Sequence, residues 1–389
     1  MKKTIFILGL IFILIGVSLN LSTGIKIETK SFIIHSNGGK TLNVGGGGPN
    51  NYTMIQYAID NASNGDTVFV YDDSSPFYEN LIINKTINLI GEDKNTTVID
   101  GNNYDDVIFI SSDYVNISGF TIQNSSTSNF SAGIKINSDF NTVYNNNINK
   151  IGSNLPNSFG IIIDSSLNNT IKFNTIHLNK YEGIYIFNSD YNHIFKNILL
   201  NNSHRAILLL ESCNNIIENN EIYQNLCGIC LLPYSTHNII KNNKIFNHPC
   251  CGIALKKYSN NNLIQYNLLT DNLDYGIMLG PGPTSKNIIE MNIISRCSSK
   301  KLLSSNAAII LDLAFFNKIK KNNIIDNSQD VMLDSSLFNL WSNNFWDNYI
   351  GFGPKILLGW LYLSLEPKIL VPWLNFDWSP AKQPFDINL

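Results

Sequence analysis

One phrase, Asn-x-apolar-x-x-Asn-x-apolar, occurs nine times between residues 141 and 346 and constrains the fold more than any other feature of the chain. Its first asparagine lies at Asn141, Asn169, Asn192, Asn215, Asn238, Asn262, Asn287, Asn317 and Asn339. Its second asparagine lies at Asn146, Asn174, Asn197, Asn220, Asn243, Asn267, Asn292, Asn322 and Asn344. A repeat of 22 to 30 residues is typical of a solenoid, because each unit can bury its apolar face only against its neighbours.

A second, shorter pattern precedes most copies of the phrase and indicates the secondary structure. Runs of the form Gly-Ile-x-Ile begin at Gly133, Gly160, Gly183, Gly228, Gly252 and Gly276, and alanine replaces the glycine at Ala206 and Ala308. Apolar residues alternate with other residues in these runs and isoleucine dominates, which is typical of short strands. Three short strands in each repeat predict an all-β parallel β-helix of about 10 to 11 coils.

The second asparagine of the phrase has a physical role at a bend between two strands. Asparagine tolerates the left-handed backbone conformation that such bends need. Its amide, pointing inward, can bond the equivalent amide one coil away, because adjacent strands lie roughly 4.8 Å apart. We therefore predict an asparagine ladder at the nine positions from Asn146 to Asn344.

Composition and the N-terminus bear on location and partners. The net charge is −3, and the arginines are Arg205 and Arg296. Because nucleic-acid binding depends on positively charged side chains that contact phosphates, we predict that the protein does not bind nucleic acid. Lys2 and Lys3 precede an apolar run, as in an export signal. We predict a signal peptide or signal anchor over residues 1–24, a solenoid over 25–345 and a Trp-rich capping segment over 346–389. The protein would be extracellular or at the cell surface, in a periplasm-like space, and an uncleaved anchor would be its contact with a membrane.

Residues 52–124 carry a family resemblance. The segment Ile55–Ala62, the phrase Gly65-Asp-Thr-Val, the run from Tyr78 to Gly91 and the run Val115–Ile122 are similar to the opening of exported β-helix proteins of the pectate-lyase-like superfamily. Among them the chain most resembles the group named after NosD, a periplasmic copper-accessory protein. The resemblance implies that the β-helix is right-handed and that a short α-helix over Ile55–Ala62 caps its first coil.

The motifs of pectin-degrading hydrolases and lyases are missing from this sequence. The best candidate for catalysis is Glu182, His204 and Arg205, with Tyr185 close by, because Glu182 and Arg205 occupy the same place in adjacent coils. A surface ion pair beside a tyrosine is the simpler interpretation of this cluster. Whether the protein is an enzyme stays open, with a polysaccharide lyase, glycoside hydrolase or epimerase as the enzymatic alternative.

The outward face of the Gly-Ile-x-Ile strands is unusually apolar in the middle coils. We predict that it binds a ligand through Tyr185, Phe187, Leu208, Leu210 and Leu232. A contiguous apolar patch is rarely left bare on a soluble protein. Either the tail from about Gly351 straps back across it, or the patch is a groove for a glycan or a partner protein.

Six cysteines are present, and Cys227 and Cys251 should stack on adjacent coils. Cys227 and Cys230 resemble a metal or redox pair, with His248 as a further candidate ligand. In a regular strand, however, residues three apart point to opposite faces, which favours cysteines that pack as small apolar residues. We predict no cofactor and no metal site, with calcium and copper as the ions left open.

Taken together, these features predict a surface β-helix protein that binds a polysaccharide or a cell-surface protein without catalysis. An enzyme acting on carbohydrate is one alternative. A NosD-like copper-accessory role is the other.

Overall fold

The computed structural model describes residues 39–126, 130–152, 158–297, 306–364 and 369–387. These residues wind into a parallel β-helix in which successive coils add strands to three stacks, called here leading, middle and trailing after their order within a coil. The predicted signal segment lies outside the described residues.

The strands are short, and almost all pair in parallel with the equivalent strand of the next coil. The leading stack contains β4 (Leu81–Ile83), β7 (Ile108–Ile110), β10 (Ser131–Ile136), β13 (Ser158–Asp164), β16 (Ile184–Phe187), β19 (Arg205–Leu210), β22 (Cys227–Leu231), β25 (Cys251–Leu255), β28 (Tyr275–Leu279), β32 (Ala307–Asp312), β36 (Val331–Asp334) and β39 (Lys355–Ser364). The middle stack contains β1 (Thr41–Val44), β2 (Thr67–Val70), β5 (Asn88–Gly91), β8 (Asn116–Ser118), β11 (Thr142–Tyr144), β14 (Thr170–Lys172), β17 (His193–Phe195), β20 (Ile216–Glu218), β23 (Ile239–Lys241), β26 (Leu263–Gln265), β30 (Ile288–Glu290), β34 (Lys318–Lys320), β37 (Leu340–Ser342) and β40 (Ile369–Asp377). The trailing stack contains β3 (Phe77–Tyr78), β6 (Val98–Asp100), β9 (Thr121–Gln123), β12 (Asn147–Asn149), β15 (Thr175–His177), β18 (Ile198–Leu200), β21 (Glu221–Tyr223), β24 (Lys244–Phe246), β27 (Leu268–Thr270), β31 (Ile293–Ser295), β35 (Asn323–Ile325) and β38 (Phe345–Trp346). A separate pair, β29 (Thr284–Ser285) and β33 (Ala314–Phe315), forms at one corner.

The solenoid has about 13 turns, more than the 10 to 11 that the sequence repeat predicts. The additional coils lie before Asn141, where β1, β2, β5 and β8 already form the middle stack without the asparagine phrase. The predicted capping helix is present as α1 (Ile55–Asn61). The Glu79 carboxylate accepts bonds from the first two backbone N–H groups of α1, at 2.8 and 2.9 Å, and so satisfies donors that a helix start leaves unpaired.

The predicted asparagine ladder is confirmed and accounts for the bend between the middle and trailing stacks. Asn197 is typical: its backbone N–H and its Nδ2 both donate to Oδ1 of Asn220, at 2.9 and 3.1 Å, and Nδ2 also donates to the carbonyl of Ile171. The left-handed backbone conformation, however, belongs to the residue before each ladder asparagine, for example Lys196 (φ 50°) and Asn219 (φ 56°). The ladder residue is therefore selected for its inward amide rather than for its φ angle.

Two further asparagine ladders, which the sequence patterns above do not predict, run along the other bends of the coil. The first asparagine of the phrase forms one, in which Asn192 Nδ2 donates to Asn215 Oδ1 at 3.1 Å. The other follows the trailing stack through Asn179, Asn202, Asn225, His248, Asn272, Cys297 and Asn327. The buried residues of these ladders thus form hydrogen bonds with their equivalents in the neighbouring coils.

The tail closes the C-terminal end of the solenoid. Strands β39 and β40 form an antiparallel hairpin in which β39 extends the leading stack beside β36 and β40 extends the middle stack beside β37. Asp377 ends the main ladder, because its Oδ2 accepts bonds from Asn344 N, Asn344 Nδ2 and Trp346 Nε1 at 2.9, 3.0 and 3.1 Å. The two strands therefore lie at the C-terminal end of the solenoid. The described part of the tail does not cover the face around Tyr185, so this alternative for covering the apolar patch is wrong.

Candidate functional site

The outward side of the leading stack holds the candidate site, and it consists of two columns of residues. Column one is formed by the residue before each glycine or alanine of the Gly-Ile-x-Ile pattern: Ala132, Phe159, Glu182, Arg205, Cys227, Cys251, Tyr275 and Ala307. Column two is formed three residues later: Lys135, Ile162, Tyr185, Leu208, Cys230, Ala254, Met278 and Ile310. Parallel in-register pairing thus brings side chains from successive coils to strand spacing.

Cys227 and Cys230 point to the same face, so the prediction that they face opposite ways is wrong. The reason is Gly228, which breaks the alternation of the strand. A Cβ at Gly228 would lie 2.7 Å from Cγ2 of the core residue Ile245, and the next residue, Ile229, is also fully buried in the core. Because Gly228 and Ile229 both face the core, Cys227 before them and Cys230 after them both face outward.

The result is a compact group of thiols from two adjacent coils. The Sγ atoms of Cys227, Cys230 and Cys251 all lie within 4.8 Å of one another, and their side chains are buried. Cys250, which is half-buried, has its Sγ 3.7 Å from that of Cys251. All of these cysteines are free thiols in the structure.

The thiols differ in acidity because they bond to one another. Hydrogen bonds from Cys227 and Cys251, helped by the positive charges of Arg205 and Lys256, lower the pKa of Cys230 well below its usual value. The same network raises the pKa of Cys251 well above the usual value and raises that of Cys250. Cys230 is consequently the first thiol of the group to become a thiolate, the form that acts as a metal ligand.

Glu182, His204 and Arg205 meet directly beside these thiols, as their sequence positions suggest. Glu182 is fully buried, and its Oε1 lies 2.8 Å from His204 Nδ1 and 2.9 Å from Arg205 Nη1. Its Oε2 has no partner among the described residues. The His204 ring stacks on Tyr181, with centroids 4.6 Å apart. The group is a partly buried ion pair that holds an imidazole against a carboxylate, which is a geometry suited to proton transfer.

The predicted ligand-binding residues share this face but differ in exposure. Tyr185 and Leu208, in column two, are only 7% and 5% exposed. Phe187, Leu210 and Leu232 are half-buried and pack along the edge of the same cluster. Tyr185 lies between the rings of Phe159 and Phe187, with centroids 5.1 and 6.0 Å away. Burial, followed by the charge of Glu182, raises the pKa of Tyr185 to about 12, so this residue stays protonated at neutral pH.

His248, the third candidate metal ligand, has a different place. It occupies a rung of the trailing ladder, where its Nδ1 lies 2.9 Å from the Asn225 carbonyl oxygen and 3.2 Å from Asn225 N, and its backbone N–H donates to Asn272 Oδ1 at 3.3 Å. Burial lowers its pKa to about 4, so the ring is neutral at pH 7. Asn202, Asn225 and Asn272 recur at coil spacing on either side of it, and this repeat is the sequence signal that identifies His248 as a ladder residue.

Comparisons with known proteins agree with this architecture. Residues 59–249 match the family model "Periplasmic copper-binding protein (NosD)", and residues 207–350 match "Right handed beta helix region". A comparison with curated protein sequences gives no significant match. None of the described residues forms a helix with the length and hydrophobicity that crossing a bilayer requires.

Several solved structures share the fold at low sequence identity. The A-module of mannuronan C-5 epimerase AlgE6 from Azotobacter vinelandii has a TM-score of 0.63 and 14% identity, over 75% of this chain and 87% of the module. The DFA-IIIase from Arthrobacter chlorophenolicus A6 without its lid has a TM-score of 0.59 and 12% identity, over 79% and 94%. The GH136 lacto-N-biosidase from Eubacterium ramulus has a TM-score of 0.52 and 11% identity, over 77% and 68%.

The chain is therefore a NosD-like repeat protein whose solenoid is a right-handed parallel β-helix. The handedness predicted from the family resemblance is confirmed. Identities this low establish the fold alone, because one fold supports many activities.

Proposed function

We propose that this protein is exported and binds copper as Cu(I), through the thiols of Cys227, Cys230 and Cys251. The observation that carries the proposal is the convergence of three buried sulfur atoms within 4.8 Å of one another. Two ligand atoms that each lie about 2.3 Å from one ion cannot be more than ~4.6 Å apart, so this spacing fits a single metal with little movement. The match to a family described as periplasmic and copper-binding supports both the metal and the export.

The chemistry of the three side chains favours Cu(I) over the other common ions. Thiolates are soft ligands that select Cu(I) and zinc, whereas calcium requires oxygen ligands. Structural zinc sites are almost always four-coordinate. Only three sulfurs form the group within 4.8 Å in the described chain, and no imidazole or carboxylate joins them. His248, on its ladder rung, is not part of that group.

Neighbouring residues prepare the thiols for binding. Cys230 ionises first, because Cys227 and Cys251 donate hydrogen bonds to it. Arg205 lies beside Cys227 in column one and provides a positive charge next to the thiolates. The surrounding cluster of Leu208, Ala254 and other apolar side chains excludes water, which protects Cu(I) from hydration and oxidation.

A competition experiment tests the proposal directly. The reduced protein is titrated against a chromophoric Cu(I) chelator, and we expect one Cu(I) per chain. Cys230→Ser and Cys251→Ser should weaken binding by about 100-fold or more, since each removes a ligand. Cys213→Ser is the matched control, because Cys213 is half-buried and contacts Tyr234 and Thr236 instead of the thiol group. Equal affinity in the wild type and the Cys230→Ser variant would refute the site.

A second candidate function, favoured by the shape of the same face, is non-catalytic binding of a polysaccharide or cell-surface protein. The half-buried side chains of Phe187, Leu210 and Leu232 follow one another on successive coils, which suits an extended polymer. The solved structures named above include a mannuronan C-5 epimerase and a lacto-N-biosidase, which supports the choice of ligand.

Polymer binding is tested with a panel of neutral and acidic polysaccharides. Phe187→Ala combined with Leu210→Ala should weaken binding by about tenfold, through loss of apolar contact. Phe316→Ala, at an exposed corner elsewhere on the solenoid, is the control. New reducing or unsaturated ends that disappear in Arg205→Ala would instead show that Glu182, His204 and Arg205 form the active site of an enzyme.

A further inference from the structure

Cys250 stands apart from the three proposed ligands although it touches them. Its Sγ lies 3.7 Å from that of Cys251, yet it is outside the group of sulfurs that lie within 4.8 Å of one another. It also forms a hydrogen bond with Cys227.

Exposure separates the four cysteines further. Cys227 is 7% exposed, and Cys230 and Cys251 are each 2% exposed, so a metal held among them has almost no contact with water. Cys250 is half-buried, in the turn before β25, where its backbone N–H donates to the carbonyl of Leu226 at 3.1 Å. Cys213, the other half-buried cysteine, contacts Tyr234 and Thr236. Cys250 is thus the one cysteine that touches both the thiol group and the solvent side of this face.

A soft metal moves between thiolates by ligand exchange, in which a new metal–sulfur bond forms before an old one breaks. We propose that Cys250 is the exchange thiol through which Cu(I), as cargo, enters and leaves the buried group. This inference rests on the proposed copper site and adds its route of transfer. In the outward step the Cys250 thiol loses its proton to solvent and forms a bond to Cu(I). The bond to Cys251 breaks, and the Cys251 sulfur takes up a proton. Charge and oxidation state are unchanged.

Cys251 is the ligand that we expect to be released. Its sulfur lies 3.7 Å from that of Cys250 and bonds to it directly, so a metal ion that moves to Cys250 leaves the Cys251 side of the group. The partner that accepts the metal would then meet it at the half-exposed Cys250, and thiols or thioethers are the groups that could take it over.

Transfer kinetics test this role separately from affinity. The full chain, loaded with Cu(I) and kept reduced, is mixed with excess bathocuproine disulfonate, and the coloured complex is followed by stopped flow. We expect Cys250→Ser to slow transfer by at least about tenfold in both directions. Its equilibrium affinity should stay within about twofold, because a route changes both rates equally. Cys213→Ser should match the wild type in rate and affinity.

The outcomes of these measurements distinguish the exchange role of Cys250 from the copper site itself. A Cys250→Ser rate equal to that of the wild type refutes the exchange role and leaves the copper site intact. A loss of affinity as large as that in Cys230→Ser makes Cys250 a ligand, which also refutes the role. Failure of the wild type itself to bind Cu(I) overturns the proposed function and this inference together. Far-ultraviolet circular dichroism and thermal melting of every variant confirm that the solenoid is folded.

Discussion

The inward and outward sides of the same strands obey different rules. In β16, β19, β22 and β25 the inward positions Ile184, Ile207, Ile229 and Ile253 are the same residue in every coil, and all are fully buried. The outward positions just before the glycine or alanine are Glu182, Arg205, Cys227 and Cys251, and they change from coil to coil. Stacking constrains the interior, because each residue must fit its own equivalent above and below. Column one faces outward and is free of that constraint, so it can hold charged and reactive side chains.

The strongest test of the interior rule is the end of the main ladder. Asp377→Ala removes the acceptor for Asn344 N, Asn344 Nδ2 and Trp346 Nε1 and leaves buried donors unpaired. We expect the free energy of unfolding to fall by about 3 to 5 kcal/mol, measured by denaturant titration. Asp377→Asn keeps an acceptor oxygen and should lose clearly less. Equal losses in the two variants would show that the ladder does not need its terminal acceptor.

A rung inside the ladder should have a smaller effect. Asn220→Ala removes the acceptor of the Asn197 backbone N–H and should lower the free energy of unfolding by about 2 kcal/mol. Glu221→Ala, at the next residue but exposed on the outside, should change it by less than about 0.5 kcal/mol. If both substitutions have the same effect, the distinction between the two sides fails at this coil.

The histidine rung should make stability depend on pH. The folded pKa of His248 is about 4, below its ordinary value of 6.5, so the unfolded chain binds the proton more tightly. Stability from this group is therefore complete above about pH 6.5 and is lost as the pH falls toward 4, by up to about 1.4 kcal/mol per pH unit. His248→Asn, which restores the ladder residue, should remove this part of the decline between pH 7 and 5. Identical pH profiles for the two proteins would contradict the rung assignment.

The smallest expected effect lies on the outward side of β19. Leu210→Ala shortens a half-buried side chain and should lower the free energy of unfolding by about 1 kcal/mol or less. Ile207→Ala, on the inward side of the same strand, should cost about 2 to 5 kcal/mol. Thermal denaturation of the pair places both numbers on one scale. A larger loss from Leu210→Ala than from Ile207→Ala would reverse the proposed roles of the two faces.

The sequence predicts the interior well, because the interior is where repetition has a physical cause. The asparagine phrase correctly gives the repeat and the main ladder, and the Gly-Ile-x-Ile runs correctly give the strands and the in-register stacking of Glu182 on Arg205. The number of coils is underestimated, since β1 to β8 build the same stacks with Val68, Leu89 and Ile117 but without asparagine at the bends.

The candidate site is harder to predict, because it depends on a local departure from strand geometry. In a regular strand Cys227 and Cys230 would point to opposite faces. They share the outward face here because Gly228 faces the core together with Ile229. Gly183 and Gly252 occupy the equivalent position in other coils. The sequence shows this repetition but does not show that the glycine faces the core. The distinction between Cys250 and Cys251, adjacent in sequence but unequal in burial, follows only from the turn before β25.

X-ray absorption spectroscopy at the copper edge, on the reduced chain loaded with one equivalent of Cu(I), counts the sulfur ligands of the proposed site. We expect a first shell of three sulfur atoms, with fewer in Cys230→Ser and the same number in Cys213→Ser. A shell dominated by nitrogen or oxygen, or a sulfur count that is the same in Cys230→Ser, would contradict a copper site built from Cys227, Cys230 and Cys251.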